Sequence, residues 1–389
     1  MKIAQIAPHF SPEFGGHEFY LCRALAKEGV DVTLFTSIKP SRIYYYETLE
    51  KPKKLRPFET LDNFNLVRVP ITFELGGRFL RFPFSIDLLE KLCRSRYDVV
   101  HSHEFFQFFT HTAIIASKLN RTPIVITQHG YTLGKNEVFY SWLLEVLGKT
   151  LGRQVTSSAD LFIAITKDVK SFLLKIGLPE NKVKVVPTGV DTDRFRPLET
   201  SYRKRIGLNA KKVVLFVGRM CEEKGVIQLL HALKDVFKDN PDAKCLMVGD
   251  GPLRNRALSL ASTLGISQKI IHLPKVNHDE MPLVYNAADI FVLPSRYEPF
   301  GMSATEAMAS GIPAIASRVG GLAETVLHGK TGLLVKVQNT MELANAISDL
   351  LQDDEKRREM GKAARKHMLD HYSWPHVAKK TVELYKSIA

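Results

Sequence analysis

Two carboxylates flank a Pro-Phe-Gly turn in the stretch PSRYEPFGMSATEAMASGIP, residues 294–313, with seven residues between Glu298 and Glu306. An apolar run, IFVLPS, leads into Glu298, and helix-forming residues gather from Ser303 onward. Pro299 makes the turn, and Gly301 lets the backbone come close to a ligand. The first N–H groups of the helix, near Gly301 and Met302, have no partner within it and favour an anion there. Both acids can then point into one pocket while grasping different parts of a ligand. A helix start merely stabilised by an acid accounts for Glu306 but leaves Glu298 unexplained.

Arg219 and Lys224, in VGRMCEEKG at 217–225, are two cations at a strand-to-helix turn. They suit a diphosphate, since Arg can bind two oxygens at once and Lys supplies a point charge. The alternative is a solvated loop in which Glu222 and Glu223 neutralise them; the GxxxxGK[ST] spacing of a P-loop is absent. Gly15-Gly16 opens the first helix, either as an anion cradle or as a plain tight turn. His101, His103 and His129 raise a metal site, but no Cys or acid cluster completes one, so no metal is expected. Asp191 and Asp193 read as turn formers in a linker rather than as metal ligands.

These residues need a scaffold that delivers them together. KIAQIA (2–7), an amphipathic segment over 15–29 and DVTLFT (31–36) form a β-α-β unit, and the pattern recurs along the chain. A second series opens at KVVLFVG (212–218) and continues through AKCLMVGDG, KIIHLP, ADIFVLP, PAIAS and GLLV. Nearly continuous apolar runs are what parallel strands covered on both faces require. The expected fold is α/β with two Rossmann-like, doubly wound domains facing across a cleft. The expected boundaries are 1–190 and 191–372, with 373–389 returning to the first domain and the linker within 185–201. Ligands of such sheets collect at the carboxyl ends of the strands, where these motifs sit. Residues 39–86 are the least regular.

Composition narrows the class. The 389 residues are 45% hydrophobic and 24% charged, as in ordinary globular proteins. The net charge of +13 asks for a polyanionic partner: nucleic acid, an anionic membrane face or a phosphorylated substrate. The apolar runs are strand-sized, well short of the ~20 residues that span a bilayer. The N-terminal segment reads as a first strand rather than a signal peptide. Four scattered cysteines, Cys22, Cys93, Cys221 and Cys245, indicate a reduced cytoplasmic setting.

Taken in order, GG after the first strand, DVVHSH, VPTGVDTDRFRP, VGRMCEEKG, VGDGP, Glu298/Glu306, EAMASGIPAIASRVGGLAE and GKTGLLV resemble the family 4 retaining glycosyltransferases, which have the GT-B fold. The likeness covers nearly the whole chain and extends to phosphatidylinositol mannosyltransferases and the GPI-anchor N-acetylglucosaminyltransferase catalytic subunit. It implies a nucleotide-sugar donor, no cofactor and no protein nucleophile. It further implies that Glu306 binds the nucleotide ribose, Glu298 the sugar hydroxyls, and Arg219 and Lys224 the departing diphosphate. Gly301, Met302 and Gly16 would add amides to the phosphates, His129 would lie beside the donor sugar, and the base near Lys275 and Val276. The GRMCEEKG loop is one residue shorter than in some phosphatidylinositol mannosyltransferases, and it does not encode the sugar.

For the acceptor, KPKKLRPF (51–58) and GGRFLRFPFS (76–85) mix basic and aromatic residues. They raise peripheral attachment to the inner face of the cell membrane and a lipid-linked acceptor, against solvated basic loops. Two other readings stay open: a nucleotide-sugar epimerase on the same fold, and a basic nucleic-acid-binding protein. No recognisable nucleic-acid module is present, so no nucleic-acid partner is expected.

Overall fold

The computed structural model describes residues 1–10, 16–38, 55–76, 81–130 and 157–389, with the backbone alone at 75, 76, 81 and 82. Gly15, the first half of KPKKLRPF (51–54) and residues 77–80 of GGRFLRFPFS lie outside the described residues. The chain divides into two compact units: Met1–Gly189 with Trp374–Ala389, and Val190–Ser373.

The first unit holds an eight-stranded sheet built from β1 (Lys2–Ile6), β2 (Asp31–Ser37), β3 (Phe58–Leu61), β4 (Phe64–Val69), β7 (Val99–His103), β8 (Ile124–Gln128), β9 (Leu161–Ala164) and β10 (Val183–Val185). A separate antiparallel ribbon pairs β5 (Phe73–Gly76) with β6 (Arg81–Phe84). The sheet runs β10-β9-β8-β7-β1-β2-β4-β3, parallel except for β3, which returns antiparallel to β4. Strand order therefore reverses beside β1, which pairs with β2 on one side and β7 on the other.

The second unit repeats the plan with six parallel strands: β11 (Lys212–Val217), β12 (Ala243–Val248), β13 (Ile270–Leu273), β14 (Ile290–Leu293), β15 (Ala314–Ser317) and β16 (Gly332–Val335). Their order is β13-β12-β11-β14-β15-β16, so the reversal falls between β11 and β14. Val213–Phe216 and Ile290–Leu293 are fully buried, as central strands covered by helices on both faces must be. A crevice forms at the carboxyl ends where neighbouring crossovers leave in opposite directions. Each unit has one such point, beside β1 and beside β11.

Helix α1 (His17–Lys27) crosses from β1 to β2 and buries Tyr20, Leu21, Cys22, Ala24 and Leu25. The last helix, α4 (Trp374–Lys386), packs against α1 and belongs to the first unit. Trp374 anchors its start. The indole stacks on Tyr20 with ring centroids 5.8 Å apart and covers Gly189, where any Cβ would come within 2.4 Å of the ring. Among the described residues no helix is long and apolar enough to cross a membrane.

The buried indole N–H of Trp374 finds no hydrogen-bond acceptor among the described residues, so the residue contributes by packing. Trp374→Ala should cost the first unit about 3–5 kcal/mol. Urea unfolding followed by far-UV circular dichroism checks this; an unshifted transition would show that the indole does not hold the helix.

Candidate active site

In the second unit the site grows from the turn after β11. Arg219 is exposed and forms no side-chain hydrogen bond or ion pair with the described residues, whereas Met220 beside it is fully buried. One 3-10 turn, Glu222–Lys224, leads to Gly225 at φ 68, which starts α2 (Val226–Asp239). A Cβ at Gly225 would sit 2.0 Å from the carbonyl oxygen of Pro294, so only glycine permits this approach. The turn thus lies directly on the end of β14. Two further glycines pack the neighbouring loop against it: a Cβ at Gly249 would fall 2.1 Å from the Gly218 carbonyl oxygen, and one at Gly251 2.5 Å from that of Met220.

That approach brings Lys224 Nζ to 2.5 Å from Oε2 of Glu298, a side chain with 8% exposure. The Ser295 hydroxyl donates to the same oxygen at 3.3 Å, and the Arg296 amide donates to the Glu223 carbonyl at 2.8 Å. The partner of Lys224 is therefore Glu298, not the adjacent Glu222 or Glu223. Glu298 itself lies in the loop between β14, which ends at Leu293, and α3 (Met302–Ala309).

Gly301 precedes α3 at φ 96, and no side chain caps the helix. Its first amides, including that of Met302, thus keep their capacity for an anion. Gly321 closes on the same loop: its amide donates to the Glu298 carbonyl at 3.0 Å, and a Cβ there would meet Phe300 Cα at 2.4 Å. One turn into α3, Glu306 accepts the Tyr285 hydroxyl at 2.7 Å. Burial lifts its carboxyl to about 7, against the opposing pull of that hydrogen bond and of Arg194. Lys275 is exposed and Val276 half-buried in the loop after edge strand β13. Two strand spacings, roughly 10 Å, separate β13 from β11.

The structure thus brings Lys224 and Glu298 into contact and sets Arg219, Gly301, Met302 and Glu306 around the same pair of strand ends. Tyr285, the partner of Glu306, carried no sequence signal. Asp191 does form a turn, accepting the Arg194 amide at 3.1 Å.

In the first unit, sheet register gathers polar residues on one face. Gln5 of β1 stands opposite His101 of β7, and His103 opposite Thr127 of β8. With a side-chain period of two, His103 follows His101 on that face and His129 follows Thr127. His103 Nδ1 lies 3.0 Å from His129 Nε2, and His103 Nε2 lies 2.9 Å from Gln5 Oε1. His17, at the start of α1, places its ring centroid 4.5 Å from that of His129 and its Nδ1 3.2 Å from Thr188. Ligand atoms of His17, His103 and His129 lie within 4.8 Å of one another. Gly16 enters α1 with extended backbone and no side-chain cap. Burial first, and neighbouring imidazoles second, push His101 down to about 3 and hold His103 and His17 well below the usual histidine range. Gln5, the polar residue within KIAQIA, was a legible signal that sequence reasoning passed over.

Comparison with known proteins bears on the family and the fold. A family model described as Glycosyltransferase Family 4 matches residues 17–194, and one described as Glycosyl transferases group 1 matches 199–367. An uncharacterised glycosyltransferase of Methanocaldococcus jannaschii is 30% identical over 99% of this chain and 98% of its own. D-inositol 3-phosphate glycosyltransferase of Nocardia farcinica is 32% identical over 99% of this chain and 89% of its own. Among solved structures, sucrose-phosphate synthase from Thermosynechococcus elongatus superposes with a TM-score of 0.75 at 25% identity, covering 99% of this chain and 98% of that one.

The buried histidines make acid stability a test of the first unit. His101 and His103 are 0% exposed and stay neutral in the folded state. Below about pH 6.5 the unfolded chain binds protons there that the folded chain refuses, so stability falls as pH drops. The expected slope is about 1.4 kcal/mol per pH unit for each histidine. Glu306, in the other unit, has the opposite sign, since its raised carboxyl takes up a proton first when folded. Trp374 belongs to the first unit and the second unit contains no tryptophan, so tryptophan fluorescence during urea unfolding isolates the first. A flat profile between pH 7.5 and 5.5 would contradict neutral burial.

Proposed function

Since this chain belongs to the family 4 glycosyltransferases, with the GT-B fold, we propose that it moves a hexose or N-acetylhexosamine, with retention, from a nucleoside diphosphate sugar to a phosphorylated, lipid-linked or glycan acceptor. The observation that carries this reading is the Lys224–Glu298 pair at the strand reversal, with Arg219 beside it and an uncapped helix start facing the same loop.

In this reading Glu306 accepts the ribose hydroxyls, and Glu298 offers Oε1 to the sugar while Oε2 stays on Lys224. Arg219, Lys224 and the amides at Gly301 and Met302 receive the diphosphate, with Gly16 adding a further amide. Lys275 and Val276 border the base, and His129 lies beside the sugar. Departure of a nucleoside diphosphate builds negative charge on its oxygens. Cations and amides already in place stabilise that charge more in the transition state than in the ground state. A donor phosphate oxygen takes the acceptor proton as the acceptor attacks from the face the leaving group departs, so no protein nucleophile is required. Glu298 and Glu306 then both serve binding, unlike the acid/base carboxylates of glycoside hydrolases.

A phosphorylated acceptor suits the net charge of +13, and the Nocardia relative is named for one. Attachment to an anionic membrane face is the further part of the reading. It is lost if liposomes rich in anionic lipid recover no protein by flotation at low salt.

The decisive experiment is a donor screen: release of UDP, GDP or ADP from a panel of nucleotide sugars, with and without lipid extract and phosphorylated polyols. Arg219→Ala and Lys224→Ala should each lower kcat by about 10²–10³. Proton NMR of the product should show the donor's anomeric configuration kept. Inversion would overturn the mechanism, and donor turnover without acceptor would favour an epimerase. Because the Glu306 carboxyl titrates near 7, the donor KM should rise as pH falls through that value, as protonation removes an acceptor for the ribose. Glu306→Gln should raise KM and flatten the dependence; an unchanged KM would remove Glu306 from the donor site.

A further inference from the structure

We propose that Tyr385 and Gln5 are positioning residues that decide, through one hydrogen-bonded chain in the first unit, which ring nitrogen of His129 carries its proton. The consequence for catalysis rests on the placement of His129 beside the donor sugar proposed above; the chain itself does not.

The chain follows from the atoms. Gln5 Nε2 donates to the Tyr385 hydroxyl at 2.8 Å and lies 3.2 Å from His101 Nδ1, whose single lone pair the tyrosine takes. Its Oε1 faces His103 Nε2 at 2.9 Å. An amide oxygen can only accept, so His103 Nε2 donates and His103 Nδ1 is bare. The bare nitrogen lies 3.0 Å from His129 Nε2, which must then be the donor. His129 is left with its Nδ1 lone pair for a hydroxyl. Turning the Gln5 amide over exchanges every role: His103 Nε2 would accept, its Nδ1 would donate, and the His129 proton would move to Nδ1.

One amide torsion thus sets the proton order of two imidazoles, and Tyr385 holds that torsion from α4. Its hydroxyl also lies 2.6 Å from His101 Nδ1, to which it donates while accepting from Gln5. His101 closes the chain by donating from Nε2 to the Thr127 hydroxyl at 2.7 Å. Gln5, His101, His103 and Tyr385 are all fully buried, so water does not compete for these bonds. Burial keeps His101 and His103 neutral, and the chain therefore carries an order rather than a charge. Among the described residues the charged or titratable groups around His129 are Glu18, 3.9 Å from Nε2, with His17, His103, His101 and the Glu104 carboxyl, which Gln128 holds at 2.8 Å. Nothing in the proposed reaction otherwise explains why a fully buried tyrosine in α4 should bond a glutamine in the first strand.

The test uses the full chain labelled with 15N-histidine. Two-bond proton–nitrogen spectra at pH 7.5 show directly which ring nitrogen is protonated, with assignments from single His→Gln variants. The expected result is an Nε2–H proton on His101, His103 and His129. Tyr385→Phe keeps the ring and removes only the hydroxyl. It should leave the fold intact yet redistribute the His129 tautomers about fivefold, the worth of one hydrogen bond. The kcat should fall by about the same factor while the donor KM stays unchanged. Gln5→Leu should lose the order altogether. Gln5→Glu should restore Nε2–H at His103 and His129, because a carboxylate still accepts from His103; packing alone would not distinguish these two variants. An Nδ1–H proton on wild-type His129, or a tautomer indifferent to all three changes, overturns the proposal. So does stoichiometric Zn²⁺ shifting the His17, His103 and His129 resonances together, which would make the cluster a metal site. If the order is present but donor leaves the His129 resonances unmoved, the chain stands and the placement of His129 beside the sugar fails.

Discussion

The carbonyl oxygen of Pro294 occupies the space where a side chain on Gly225 would have to be. That contact joins the turn after the first strand of the second unit to the end of its fourth, the two strands that flank the reversal of sheet order. Because the turn cannot stand further off, Lys224 reaches Glu298, and the loop carrying Glu298 is itself pinned by Gly321 and Gly301. Glycines here give up helical and strand propensity in return for backbone contacts no other residue allows. The arrangement is rigid without any side chain being large.

The first unit uses a different means. Its reversal beside β1 is lined by Gln5, His101, His103 and Thr127, all on one face because parallel register and the two-residue period leave no other choice. Buried polar groups are costly unless each is paired. Here almost every donor has an acceptor, and the last pairing is supplied by Tyr385 from the end of the chain. The return of α4 to the first unit is thus more than packing by Trp374: it completes a polar network that β1 and β7 alone would leave short of a partner.

Much of this was legible in the sequence. Apolar runs that stop abruptly at HSHE, TQHG, VGRMCEEKG and SRYEPFG mark strand ends, and the doubly wound plan follows from their alternation with amphipathic segments. The residues themselves were legible; their pairings were not. Glu222 and Glu223 stand next to Lys224, yet its partner lies 74 positions away, because a 3-10 turn aims the lysine across to β14. Tyr285 and Glu306 sit on separate helices, and Tyr385 is 380 positions from Gln5. Such contacts are products of sheet order, which local periodicity does not encode. The hairpin of β3 and β4 was missed for a simpler reason: its strands are four and six residues long, β3 is half-exposed, and both carry charges.

The Lys224–Glu298 pair looks at first like an obstacle to catalysis, since a cation bound to a carboxylate is not available to a phosphate. The bonding capacities say otherwise. An ammonium group has three protons and a carboxylate two oxygens. Lys224 spends one proton on Glu298, and both bonds to Glu298 fall on Oε2. Two protons and Oε1 therefore stay available without breaking the pair. In the proposed reaction the diphosphate would take the first and a sugar hydroxyl the second, with neither residue changing partner. A pair that holds its shape through binding need not be reorganised when charge develops on the leaving group, and reorganisation is the cost that preorganised sites avoid. Arg219, exposed and uncommitted, is then the element left to move onto the phosphates as the donor arrives.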